Sequence, residues 1–116
     1  MLQYNSKTGE TYLDNQFEGI GYSGTGEGRN NPDMEHVRAV GPIPRGKWRI
    51  GRPYKHATLG PICFNLEPVG HDALSRTLFR IHGDNKTNDA SLGCIILGWS
   101  IRRKIELDGE TELEVI

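Results

Sequence analysis

Hydrophobic and polar positions alternate in short bursts along most of the chain, and glycine- and asparagine-rich turns separate the bursts. Leu2 and Tyr4 enter a turn at Ser6-Lys7-Thr8-Gly9 and Thr11-Tyr12-Leu13 leaves it, which predicts a β-hairpin. Asp14-Asn15 predicts a second turn, and Phe17 to Tyr22 a third strand. Asn31-Pro32-Asp33 reads as the start of a short helix to about Val37, with proline at the first helical position. Both prolines of Gly41-Pro-Ile-Pro-Arg-Gly46 lack the N–H that a ladder needs, so this stretch is a rigid turn leading into a strand, Lys47 to Ile50. Ile62 to Leu66 and Thr77 to Ile81 alternate as strands. Cys94-Ile-Ile-Leu97 fits a buried strand or a helix start, and periodicity does not separate them. Ser100 is a candidate cap for a short helix at Ile101 to Leu107, and Asp108-Gly109 turns into a last strand, Thr111 to Ile116. The expected fold class is mainly β: a compact sandwich or partly closed barrel with one or two short helices, forming a single domain over residues 1–116.

Composition narrows the function. A net charge of −1 gives no electrostatic argument for nucleic acid, and no stretch reaches the length of a membrane span. The N-terminal residues carry no apolar core of a signal peptide, so the chain is expected to be made in the cytoplasm without an N-terminal signal. Gly24-Thr-Gly-Glu-Gly28 looks like a phosphate-binding loop but has no Gly-Lys-Ser/Thr ending, so a flexible loop is expected. His36, His56 and His71 show no paired spacing for zinc. No metal and no cofactor is expected.

The informative stretch runs from Phe79 to Ile95. A strand delivers His82 to its end, a polar loop follows, and Ser91-Leu-Gly-Cys94 comes next. A thiol attacks an acyl carbon as thiolate, so it needs a neighbouring base or a lowered pKa. Imidazole supplies such a base near neutral pH. Gly93 permits a tight turn and close substrate approach, and the N–H groups of Gly93 and Cys94 are candidate oxyanion donors. The candidates for orienting the imidazole are the Gly83 carbonyl and the Asp84 carboxylate.

These residues carry a resemblance. The stretch resembles the catalytic motif of L,D-transpeptidases, the YkuD-like family: His-Gly, a variable loop, then Ser/Thr-His-Gly-Cys-Ile/Val-Arg. His82-Gly83 matches the first part, and Ser91, Gly93, Cys94 and Ile95 the second. Gly41 to Ile50 looks like the family's Thr-Pro-x-Gly-x-Phe strand. With Asn85 three residues after His82, the pattern looks most like a short branch that includes type VI secretion effectors and phage-borne relatives. Leu92 stands where the larger family has a second His, and Ile96 where it has an Arg that helps bind the donor stem. Arg80, Arg45, Arg49 and Arg102 are the candidates to replace that Arg.

The resemblance implies an L,D-transpeptidase-like fold and a cysteine enzyme acting on a peptidoglycan tetrapeptide stem. Cys94 would be nucleophile and His82 base. Gly83 and Asp84 would complete the catalytic set, with Ser91, Asn85, Gly93, Arg80 and Tyr22 toward substrate. Crosslinking, D-amino-acid exchange and L,D-carboxypeptidase activity are the implied outcomes. It also implies action in the periplasm after delivery, and a cognate immunity protein as partner. Two other readings stand beside it. One is a cysteine peptidase cutting within the wall peptide, although papain-like wall peptidases place Cys before His. The other is a non-catalytic wall-binding or phage structural module with Cys94 a buried thiol.

Overall fold

In the computed structural model, which describes residues 1–116, the alternating bursts become strands of one sheet beside a single α-helix. The strands are β1 (Leu2–Tyr4), β2 (Glu10–Leu13), β3 (Gln16–Ile20), β4 (Tyr22–Ser23), β5 (Gly46–Ile50), β6 (Tyr54–His56), β7 (Gly60–Val69), β8 (Phe79–His82), β9 (Ile95–Ile96) and β10 (Glu112–Val115). Helix α1 (Trp99–Asp108) lies between β9 and β10 in sequence. The sheet order is β3-β2-β1-β10-β5-β7-β8-β9-β4, with β6 paired to β7. The β1–β10 and β8–β9 pairs are parallel, and the others antiparallel.

The two ends of that order, β3 and β4, are consecutive in the chain with only Gly21 between them. The Gly21 N–H donates to the Gly9 carbonyl at 2.8 Å, beside β2. A Cβ on Gly21 would lie 2.3 Å from the Ile96 carbonyl in β9. Glycine admits this backbone approach where a side chain would block it, and the sheet nearly closes into a barrel.

Period-two alternation fills the interior. Leu2 and Tyr4 on β1, Trp48 and Ile50 on β5, and Leu113 and Val115 on β10 all point into one apolar cluster. Trp48 meets Phe79 edge-on at 5.1 Å, and its indole N–H donates to the Pro44 carbonyl. Helix α1 adds Ile101 and Ile105, four residues apart on one helical face. The mainly β, nearly closed architecture agrees with the sequence pattern.

Several elements differ in detail. The third strand is divided at Gly21. Residues 24–28 are no loose loop: Gly24 and Gly28 are buried against the Val40 carbonyl, and Gly26–Gly28 makes a 3-10 turn. Asn31 does cap the Asp33 N–H, but only one 3-10 turn follows, Pro32–Met34, because none of its residues is buried to stabilise a longer helix. Helix α1 begins at Trp99 with Gly98 at the cap position, which leaves Ser100 inside the first turn; it ends on Gly109, whose φ of 64° is left-handed. Strand β7 is longer than its alternating centre because β5, β6 and β8 all pair along it.

Candidate active site

The parallel pair β8–β9 brings the thiol and the imidazole together. Its register sets Ile81 opposite Ile95 and His82 opposite Ile96, which puts Cys94, one residue before β9, level with Arg80. Side chains at alternate positions share a face, so Arg80, His82 and Cys94 project to the same side, away from Phe79 and Ile81 in the core. They meet in one cavity of about 380 Å³ with Arg38, Ala39, Leu59, Arg76, Leu78, Leu92 and Gly93 among its walls. No Asp or Glu lines it.

His82 is oriented by the main chain. Its Nδ1 lies 2.8 Å from the Gly83 carbonyl, which only accepts, so Nδ1 carries the proton and Nε2 keeps its lone pair. The Asp84 carboxylate is occupied elsewhere: it accepts from the Tyr22 hydroxyl at 2.5 Å and from the Asn85 N–H at 2.8 Å. Of the two candidates for orienting the imidazole, the structure selects Gly83.

Burial shifts both partners toward their uncharged forms. Burial pushes the His82 pKa below the usual imidazole value; the Gly83 hydrogen bond opposes this, and the charges of Arg80 and Arg102 reinforce it. Burial pushes the Cys94 thiol up, opposed by the Arg80 N–H and by the guanidinium charges of Arg80 and Arg76. The Cys94 Sγ also lies 3.7 Å from the Leu78 carbonyl. Shifts toward the neutral forms in one cavity favour proton transfer during attack over a preformed thiolate–imidazolium pair.

The turn before the thiol is fixed by two serines. The buried Ser91 hydroxyl donates to the Cys94 carbonyl at 2.6 Å and accepts from the N–H groups of Gly93 and Gly24. Ser23 donates to the Gly93 carbonyl at 2.9 Å and accepts from the Ile43 N–H. Ser91 is therefore spent on the turn and bonds neither His82 nor the open cavity. The Gly93 N–H is likewise taken, which removes it as an oxyanion donor, whereas the Cys94 N–H has no partner in the protein. Gly93 has φ of 135°, and a Cβ there would sit 2.5 Å from the Arg76 guanidinium. Only glycine fits both conditions.

The remaining predicted residues divide. Arg80 lines the cavity. Tyr22 does not; its hydroxyl accepts from the Ala90 N–H while donating to Asp84, so it clasps the loop after His82. Arg29 stacks over the Tyr22 ring at 3.7 Å and donates to the Asn88 carbonyl. Asn85 is exposed and bonds within the loop, to Asp89 and Thr87. Arg102 is buried and donates to the carbonyls of Leu97, Pro61 and Ile62, behind Gly83. Arg45 pairs with Glu35, and Arg49 lies outside the cavity on β5. Both cysteines are free thiols, Cys63 buried in β7.

The sequence reading missed Arg76. It is 6% exposed, and its guanidinium donates to the carbonyls of Glu35, Gly41, Pro42 and Leu92. It ties two cavity walls together and sets a positive charge behind the thiol, with no carboxylate paired to it. Nothing in its local pattern, Ser75-Arg76-Thr77, marks it, because its partners are main-chain groups distant in sequence.

A thiol and an imidazole lining one basic cavity, His82 at the end of β8 and Cys94 just before the neighbouring β9, form an arrangement suited to cysteine acyl transfer. The chain matches the Tlde1 domain over residues 18–110. It belongs to that family, a family of type VI secretion L,D-transpeptidase effectors. No curated protein matches the chain. No helix is long and apolar enough to cross a membrane.

Proposed function

We propose that the protein is a cysteine L,D-transpeptidase or L,D-carboxypeptidase acting on peptidoglycan tetrapeptide stems. The observation that carries this reading is the shared cavity of Cys94 and His82, with the imidazole held by the Gly83 carbonyl in the tautomer that a base requires. His82 Nε2 takes the Cys94 proton as Sγ adds to the carbonyl of the third stem residue, meso-diaminopimelate. The Cys94 N–H faces the developing oxyanion. The C–N bond then breaks, His82 returns the proton to the departing D-Ala amine, and a thioester remains on Cys94. Attack by an amine of a second stem gives a crosslink, attack by a free D-amino acid gives exchange, and attack by water gives a tripeptide. Each restores the thiol.

The family supports a further part of the proposal: the protein works as an antibacterial effector, made in the cytoplasm and delivered to a periplasm, with an immunity protein guarding its producer. The test is to export the protein to the periplasm of a Gram-negative host, as wild type and as Cys94→Ala, and to analyse the sacculi by mass spectrometry. Wild type should slow growth and convert tetrapeptides to tripeptides or D-amino-acid-exchanged stems. Equal growth and identical stem profiles would overturn the proposal.

A further inference from the structure

Arg80 differs from the buried Arg76 and Arg102 in having both Nη nitrogens free. Arg76 spends both Nη groups on main-chain carbonyls, and Arg102 spends Nε and one Nη. Arg80 donates only through Nε, to the Tyr54 hydroxyl at 2.9 Å, and neither Nη has a protein partner. Tyr54 in turn donates to Asn65 Oδ1 at 2.6 Å.

The sheet explains why these three meet. Asn65 on β7 is the register partner of Arg80 on β8, and Tyr54 on β6 is the register partner of Cys63 on β7. Cross-strand neighbours lie close enough for side chains to bond directly. The relay crosses three strands and holds the guanidinium by Nε, which leaves both Nη groups without a protein partner. Arg80 lines the cavity of Cys94 and His82. It also borders a second cavity of about 440 Å³, which shares Arg76, Thr77, Leu78 and Phe79 with the first. The first cavity contains no acid to neutralise it, and Arg38 adds a further positive charge at its rim.

A guanidinium with Nε fixed and both Nη groups free presents paired donors that match a carboxylate. We infer that Arg80, aimed by Tyr54 and Asn65, binds the free terminal carboxylate of the substrate beside Cys94 and so selects stems whose last residue is unblocked. This rests on the acyl-transfer reading of the same site. Arg80 is then a specificity-determining residue, and Tyr54 and Asn65 are positioning residues that act through it. Charge alone does not provide the selection, because Arg76 is also positive but spends both Nη groups on main-chain carbonyls.

The experiment separates binding from turnover. Cys94→Ala protein is titrated calorimetrically with a disaccharide-tetrapeptide carrying a free terminal carboxylate, and with its C-terminal amide. The acid should bind about 10- to 100-fold more tightly, the range for a charge-assisted hydrogen-bond pair. Adding Arg80→Gln should reduce that preference to about threefold or less, and adding Tyr54→Phe should leave an intermediate value, since the guanidinium remains but loses its brace. Arg49→Gln, on β5 outside both cavities, should leave the preference unchanged. Thermal unfolding of each variant confirms that the fold is kept. Equal binding of acid and amide, or a preference that survives Arg80→Gln, would overturn the inference. D-Ala release by wild type with equal binding would sink the inference and leave the activity standing. Acid preference with no release by wild type would do the reverse.

Discussion

The two halves of the site are held by different means. His82 and Cys94 are placed by strand pairing, through the register of β8 against β9 and the hydrogen bond from the Leu97 N–H to the His82 carbonyl. The stretch between them, residues 83–92, has no strand or helix and is held by side chains: Tyr22 on Asp84 and Ala90, Arg29 on Asn88, and Ser91 on Gly24 and Gly93. The backbone-built half holds the two groups of the proposed chemistry, and the side-chain-built half sets the wall around them. Mutations should therefore divide into those that stop the reaction in a folded protein and those that loosen the loop.

The largest effect belongs to the strand half. Cys94→Ala should abolish D-Ala release, and His82→Ala should lower it by about 10²- to 10⁴-fold, the usual contribution of a positioned base. Both should unfold as sharply as wild type; a folded His82→Ala protein with full activity would break the comparison. Ser91→Ala comes next. It leaves the buried N–H groups of Gly24 and Gly93 and the Cys94 carbonyl without their shared partner, and should cost about 1–3 kcal/mol in denaturant unfolding while lowering activity. Tyr22→Phe keeps the ring under Arg29 and removes the hydroxyl, which should cost about 0.5–1.5 kcal/mol. Its signature is faster hydrogen exchange at Ala90 rather than at β8. The smallest effect should be Asn85→Ala, within about twofold in activity, because its bonds are exposed and internal to the loop.

The pH dependence sharpens the same division. The folded His82 pKa is below its ordinary value of 6.5, so the unfolded state binds more protons as pH falls through 6.5. Stability should be fully present above pH 6.5 and decline from there down to the lowered folded value. Thermal unfolding of wild type and His82→Gln across this range should show the decline only in wild type. The acid limb of the D-Ala release profile of the free enzyme should likewise lie below pH 6.5, because the base stays neutral there. An acid limb above 6.5 would contradict the downward shift of His82.

The sequence was most informative where structure is local. Alternation located the hairpin of β1 and β2, the proline-rich turn located the start of strand β5, and the order His-Gly, loop, Ser-x-Gly-Cys located His82, Gly93 and Cys94, now found in one cavity. It was least informative where a side chain answers to distant backbone. Asp84 and the Gly83 carbonyl were equal candidates for His82, since main-chain acceptors have no letter in a sequence. Ser91 looked like a substrate ligand because a small polar residue beside a nucleophile has the same composition in either role. Arg76, Tyr54 and Asn65 draw their roles from partners that only the sheet brings near. The closure at Gly21 was hidden for the same reason, as its neighbours Gly9 and Ile96 are far along the chain.

The central claim is that Cys94 and His82 together carry out acyl transfer on a tetrapeptide stem. The most direct test incubates purified disaccharide-tetrapeptide with reduced wild-type, Cys94→Ala and His82→Ala protein and follows the stem by mass spectrometry. The account predicts loss of D-Ala, or its replacement by an added D-amino acid, with wild type, none with Cys94→Ala, and a strongly slowed reaction with His82→Ala. An unchanged tetrapeptide with folded, reduced wild type, or the same products from Cys94→Ala, would contradict it.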